Sequence, residues 1–320
     1  MTLLIVSTLV TLVVLPLAAL LWLVRRSGSL VLWGLKAASV LAFGAALYAL
    51  GPWHMLSVHG RGVWIVLLVG VGAAGAWRMR GRPVWSRPAG WGWLGAGMAV
   101  LVLVGSAYAL GEVYRAHEVP EAPVALASPF RDGPIYVASG GSRPLPNPHM
   151  KVAVPELERW RGQQWALDLV ALYPSGNRAR GLYPTALDRY AVFGMPVYAP
   201  CNGPVHAAVD TLPDLTPPAR DTTHKAGNYV LLQCGPRAYV LLAHLQSGSV
   251  PVAAGDTVST QTRVGAVGNS GNSWEPHLHL HAQRQPGTAT LLDADPRPLT
   301  LNGAFPLRND VLHPAPPPER

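Results

Sequence analysis

The sequence predicts a two-part chain, an N-terminal region of four transmembrane helices followed by a mainly-β domain built on antiparallel sheet. Three observations predict it. Long apolar stretches fill the first third, every acidic residue lies beyond them, and the remainder breaks into short Val-, Leu- and Tyr-rich runs punctuated by Gly, Pro and Asn. At 320 residues the chain exceeds one typical domain. Its mean hydropathy of +0.21, with only 13% charged residues, is unusual for a soluble globule. Up to Gly111 there are eight basic residues (Arg25, Arg26, Lys36, Arg61, Arg78, Arg80, Arg82 and Arg87) and no acidic ones, while the other 17 basic residues balance all 17 acidic ones. The net charge of +8 and the pI near 9.8 therefore reflect arginines flanking apolar helices, and no nucleic-acid partner is expected.

The apolar stretches run over residues 2–24, 30–50, 63–77 and 90–110. A helix needs about 20 mainly apolar residues to cross the hydrocarbon core, so the third stretch is expected to borrow residues 58–62. Tryptophans 22, 53, 77, 85, 91 and 93 crowd the expected ends, where amphipathic rings favour the interface. A single cleaved signal peptide ahead of a buried helical domain is the competing reading. Against it, Met1–Leu4 carries no basic region and three more apolar spans follow. Arg25 and Arg26 lie between the first two spans, and Arg78, Arg80, Arg82 and Arg87 between the last two. Positive loops stay cytoplasmic, which puts both termini, and everything after Glu112, on the outer side of the cytoplasmic (inner) membrane. Lys36 is within reach of the cytoplasmic end of its span and is read as snorkelling.

The expected organisation is a membrane anchor over 1–111, a linker rich in Pro, Ala and Glu over 112–134, a β-domain over 135–306 and a Pro-rich tail over 307–320. Strands are expected at 165–172, 196–199, 229–233, 238–245 and 277–282, with one short helical turn at 157–163. No repeat of fixed period is present. Cys201 and Cys234 both fall in the outer domain, where an even count favours a disulfide over two buried thiols. They make poor metal ligands, because no second pair accompanies them.

The chemistry lies in the histidines. In Gly268-Asn269-Ser270-Gly271-Asn272-Ser273-Trp274-Glu275-Pro276-His277-Leu278-His279-Leu280, the two histidines are two residues apart and share one face of a strand, with His281 continuing that face. Alone, such a pair is weak evidence of metal binding. In its context the stretch resembles the GxSxGPHLHFE-like signature of the lysostaphin/LytM-type peptidoglycan endopeptidases. Four upstream pieces are similar to that family's motifs in the same order: 194–205 to GxPVxAxxxGxV, 227–230 to GNxV, 243–245 to xHL and 252–258 to VxxGxxV. The resemblance covers about 147–283. It implies the compact antiparallel sheet known as the duplicated hybrid motif.

The resemblance also implies a zinc site with Asp168 and His279 as ligands, and His277 and His244 as catalytic histidines. In this chain Gln164 stands where much of the family carries its first ligand histidine, four residues before the aspartate. A neutral amide oxygen is a poor zinc ligand beside imidazole. His149 is expected to loop back and complete the set; the other readings are a missing first ligand, or His206 or His224 in its place. The implied function is a membrane-embedded zinc metalloendopeptidase acting on peptidoglycan, with His277 as general base and His244 donating to the oxyanion. Two alternatives of other classes stand beside it. One is an inactive binding module of the same fold that activates cell-wall amidases. The other is a membrane sensor, which the lack of acidic residues in the spans disfavours.

Overall fold

A computed structural model describes residues 2–88, 90–119 and 123–313 of the protein. The end of the proline-rich tail (314–320) and part of the linker (120–122) lie outside them. The chain divides into two compact units, Met1–Tyr114 and Arg115–Arg320.

In the first unit four helices are long and apolar enough to cross a membrane: Thr2–Val24, Leu30–Leu50, Gly60–Arg78 and Trp91–Arg115. Their outward faces leave Leu21, Val66 and Leu101 64%, 71% and 70% exposed. An apolar surface of this kind is costly in water and stable against lipid. The first helix contains a π-helical turn, Val10–Val14, directly before Pro16. Proline removes a donor and crowds the preceding turn, and one wider turn accommodates it. The second helix is capped by the Ser29 hydroxyl, which accepts from the Leu32 amide at 3.4 Å. The third begins at Gly60 rather than residue 63, and the fourth runs past Leu110 to Arg115. Lys36 is buried, and its Nζ donates to the Arg25 carbonyl at 2.5 Å, so the ammonium reaches toward the arginine-bearing end of its span.

The second unit is β-rich. Its strands are β1 (Val124–Leu126), β2 (Ile135–Ser139), β3 (Leu167–Ala171), β4 (Pro196–Tyr198), β5 (Gly203–Val209), β6 (Asn228–Gly235), β7 (Ala238–Leu245), β8 (Thr257–Val258), β9 (Arg263–Ala266), β10 (Leu278–Gln283), β11 (Pro296–Arg297), β12 (Leu299–Leu301) and β13 (Val311–Leu312). The main sheet is antiparallel and nine-stranded, in the order β13-β2-β3-β10-β7-β6-β5-β8, with β11 added against β10. Two small two-stranded sheets, β1-β12 and β4-β9, complete the domain.

Alternation along the central strands sorts two faces. Leu167, Leu169, Val230, Leu232, Val240, Leu242, Leu278, Leu280 and Ala282 all point into the principal core. Their neighbours Leu231, Leu241 and Ala243 face the other way, into a second cluster closed by Leu292 and Trp160. Because side chains alternate with period two, Asp168, His279 and His281 lie on that second face. It is covered in part by the 3₁₀ helix Pro155–Gln163, longer than the single turn expected at 157–163.

The linker 112–134 contains β1, which pairs in parallel with β12 far along the chain, and the tail 307–320 contains β13, which extends the main sheet beside β2. Both strands have only two or three residues, too few for alternation to register in a sequence. Cys201 and Cys234 are joined by a disulfide, with Cα atoms 5.6 Å apart, and no free cysteine remains among the described residues.

Candidate metal centre and catalytic histidines

Register assembles the site. β10 lies between β3 and β7, so that His279 pairs with Asp168 on one side and Ala243 on the other. His244 follows Ala243 at a bulge: Tyr229 pairs with Ala243 and Asn228 with Leu245, leaving His244 unmatched. Its φ of 62° is left-handed, rare for a non-glycine residue. A bulge re-aims a side chain, and here it turns the imidazole over the sheet to within 4.8 Å of the His277 ring, centre to centre. His277, expected on a strand, stands just before β10 and still reaches Asp168, with Nε2 3.4 Å from Oδ1.

His149 arrives from the 3₁₀ helix Pro148–Ala153. The buried Asn147 holds this segment, accepting from the His149 amide at 3.1 Å and donating to the carbonyls of Gly141 and Ala166 at 2.9 and 3.1 Å. His149 Nε2 then lies 2.9 Å from Asp168 Oδ2, and His279 Nδ1 lies 3.2 Å from Asp168 Oδ1. Gln164 ends the helix Pro155–Gln163. His206 is exposed on β5 against the Tyr239 ring, and His224 is exposed and paired with Asp221 at 2.8 Å. Among the described residues neither enters the two His/Asp groups that could hold a metal ion, which are His149–Asp168–His279 and His244–His277–His279.

Hydrogen bonds assign the protons. The Gln283 amide donates to the Leu291 carbonyl at 3.3 Å, so its Oε1 turns to His281 Nε2, also at 3.3 Å. His281 therefore donates through Nε2 and accepts at Nδ1, where His279 Nε2 sits 3.1 Å away. His279 in turn carries its proton on Nε2, and its Nδ1 lone pair faces the Asp168 carboxylate. Two acceptors facing each other at 3.2 Å form an arrangement that a cation resolves. Zinc bonds of about 2.0–2.1 Å in tetrahedral geometry space ligand atoms about 3.3–3.4 Å apart, close to the 3.2 Å between His279 Nδ1 and Asp168, while His149 Nε2 at 2.9 Å sits at hydrogen-bond length and would move outward by about 0.4 Å to share a metal. Two imidazoles and one carboxylate also match the donor set of catalytic zinc. The residues fit the metal.

Burial alone would raise the Asp168 pKa, but the charges and hydrogen bonds of His149 and His277 outweigh it and hold the carboxyl well below its ordinary range. Burial pushes His279 down to about 4, despite its contact with Asp168, and holds His281 well below the usual histidine value. His277 is raised: burial opposes its charge, and the Asp168 carboxylate more than compensates. Burial, followed by the charges of His277 and His279, holds His244 well below the ordinary value.

The two remaining histidines each present a lone pair. His277 Nδ1 is 2.8 Å from the Glu275 carbonyl, and His244 Nδ1 is 2.8 Å from the Ser270 carbonyl. A carbonyl only accepts, so in each neutral ring the proton sits on Nδ1 and Nε2 is the acceptor. In this neutral form His244 presents a lone pair at Nε2, and the oxyanion-donor role expected for it needs the protonated ring, which carries a hydrogen on both nitrogens. Ser270 is itself held by the close approach of Gly227 (φ 62°), where a Cβ would overlap the Ser270 backbone. That contact lets the Asn228 amide reach the Ser270 hydroxyl at 2.9 Å.

Gln283 was not singled out in the sequence, although it continues the two-residue period of His279 and His281. Partners behind a ligand histidine typically contribute 10–100-fold in metal affinity. Gln283→Leu should weaken zinc binding by about that factor in competition titrations with a chelating indicator, leaving the fold intact by circular dichroism. An unchanged affinity would remove the relay from the site.

Residues 184–290 match the model of peptidase family M23. No curated protein matches the chain. Among solved structures it is similar to a zinc-containing peptidase from Vibrio cholerae (20% identity, covering 54% of this chain and 39% of that one, TM-score 0.31). It is also similar to lysostaphin (17%, 48% and 49%, TM-score 0.28) and to a catalytic-domain variant of the prophage-encoded M23 protein EnpA from Enterococcus faecalis (18%, 49% and 86%, TM-score 0.22). The chain thus spans less than half the length of the first two. All three TM-scores are low, and the fold is defined by the strand order and registers above.

Proposed function

We propose that this chain, which belongs to peptidase family M23 through residues 184–290, is a membrane-anchored zinc metalloendopeptidase hydrolysing peptide bonds of peptidoglycan stems or cross-bridges outside the cytoplasmic membrane. The observation that carries this reading is the convergence of His149, His277 and His279 on the Asp168 carboxylate, with His244 beside them. His149, Asp168 and His279 would hold the metal. Bound zinc supplies Lewis-acid polarisation of the scissile carbonyl and lowers the pKa of water toward about 7.

The protein's own groups handle the protons. His277 Nε2 takes a proton from the attacking water and delivers it to the leaving amine, as a general base that becomes a general acid. His244 Nε2 accepts the water's other hydrogen and fixes its orientation. Both rings stay in register because their Nδ1 protons are committed to backbone carbonyls.

The test uses the purified full-length protein on cell-wall sacculi, following new amino groups as peptide bonds open. Release that stops with a zinc chelator and returns with added zinc is the expected result. A protein that binds zinc yet opens no bond in any sacculus tested would replace the peptidase reading with that of an amidase-activating module. The arginine asymmetry gives an independent expectation. A reporter active only outside the cytoplasm, fused after Arg320, should be active, and a cytoplasmic signal there would remove the wall from reach.

A further inference from the structure

Arg178 is the largest fully buried side chain among the described residues, 1% exposed. It grips Glu275 with two bonds, Nε to Oε1 at 2.7 Å and Nη2 to Oε2 at 2.5 Å, across 97 residues of sequence. Nη2 also donates to the Leu182 carbonyl at 2.8 Å, and the rings of Tyr183 and Tyr190 flank the guanidinium at 4.9 and 5.8 Å. Nη1 is buried with no hydrogen-bond partner. A buried ion pair is weak support for stability, because desolvation offsets most of its attraction, and an unsatisfied donor adds a further cost. What a two-point grip does supply is geometry.

That geometry is spent two residues before His277. The Glu275 carbonyl accepts from both the Ser273 hydroxyl and His277 Nδ1, each at 2.8 Å, and Pro276 stiffens the link between them. We propose that Arg178 is a positioning residue for His277: by clamping the Glu275 side chain it aims the Glu275 carbonyl at Nδ1, which keeps the Nε2 lone pair turned toward Asp168. The inference rests on the reading of His277 as the proton acceptor. It assigns a role to the segment between β3 and β4, whose buried arginine would otherwise be a cost without a return.

The test reads the tautomer directly. Full-length protein labelled with ¹⁵N-histidine is examined by NMR where the ring is neutral, with His277 assigned by the signal lost in His277→Ala. In the wild type the proton sits on Nδ1. In Arg178→Met the His277 signals should move toward the Nε2-protonated form, with zinc content unchanged, while kcat falls about 10²-fold at constant KM, the scale of a misplaced reacting group. Arg178→Lys, which keeps the charge and one donor, should recover part of both effects. Glu275→Gln keeps the bulk at position 275 and should shift the tautomer in the same direction, deciding the matter if Arg178→Met fails to fold. An unchanged His277 tautomer in a folded Arg178→Met, or in Glu275→Gln where that variant decides, would overturn the proposal and reduce the pair to a staple. If the tautomer follows Arg178 while the wild type opens no peptide bond, the positioning role stands and the peptidase reading falls.

Discussion

His277→Ala should retain about one zinc per chain and yet hydrolyse wall peptides about 10²–10⁴-fold more slowly, the usual contribution of a positioned general base. His279→Ala should fail differently and lose the metal, since two remaining ligands seldom hold zinc against water. The contrast follows from the hydrogen bonds. His279 shows its Nδ1 lone pair to Asp168 and has His281 behind it, whereas His277 has its Nδ1 proton committed to Glu275 and turns Nε2 toward Asp168 at the longer distance of 3.4 Å. Zinc by atomic absorption and amine release on sacculi, measured on the same preparations, separate the two. Loss of metal in His277→Ala would show the roles to be misassigned within a real site.

The second large effect is on stability. The bridge from Cys201 to Cys234 spans a sequence separation of 33 and ties the segment after β4 to β6. In a chain-entropy account a loop of this size contributes about 3–4 kcal/mol. For a domain of this length each kcal/mol moves the melting temperature by about 2–4 °C. The double variant Cys201→Ser, Cys234→Ser should therefore melt about 6–16 °C lower in calorimetry. Thiols that titrate in the unreduced, denatured protein would show that the bridge does not form in the cell.

The parts legible in the sequence were those carried by local period and spacing. Ala238–Leu245 alternates between two buried faces and was readable as a strand to the residue. The two-residue step from His277 to His279 was readable as a pair of groups directed at one pocket. Contacts set by long-range pairing were not legible. His244 owes its direction to a bulge that exists only when β6 and β7 pair, and its tautomer to a carbonyl 26 residues away. The Arg178–Glu275 clamp joins an arginine in an irregular segment to a glutamate in a loop, and neither position carries a local period. β1 was hidden by brevity, its partner β12 lying at the other end of the domain.

The one-way run of donors from Gln283 through His281 to His279 also bears on where the protein can persist. Its polarity leaves the His279 lone pair and the Asp168 carboxylate turned toward each other whatever the surroundings. With zinc bound as proposed, the folded domain would act as a trap for divalent cations, and by mass action its lifetime would follow their free concentration. At a thousand times the dissociation constant, binding adds about 4.1 kcal/mol to the folded state. Metal scarcity outside the membrane would then act as a quality filter, exposing the domain to unfolding and to the proteases that remove unfolded chains, so that the abundance of the protein would track the supply of zinc.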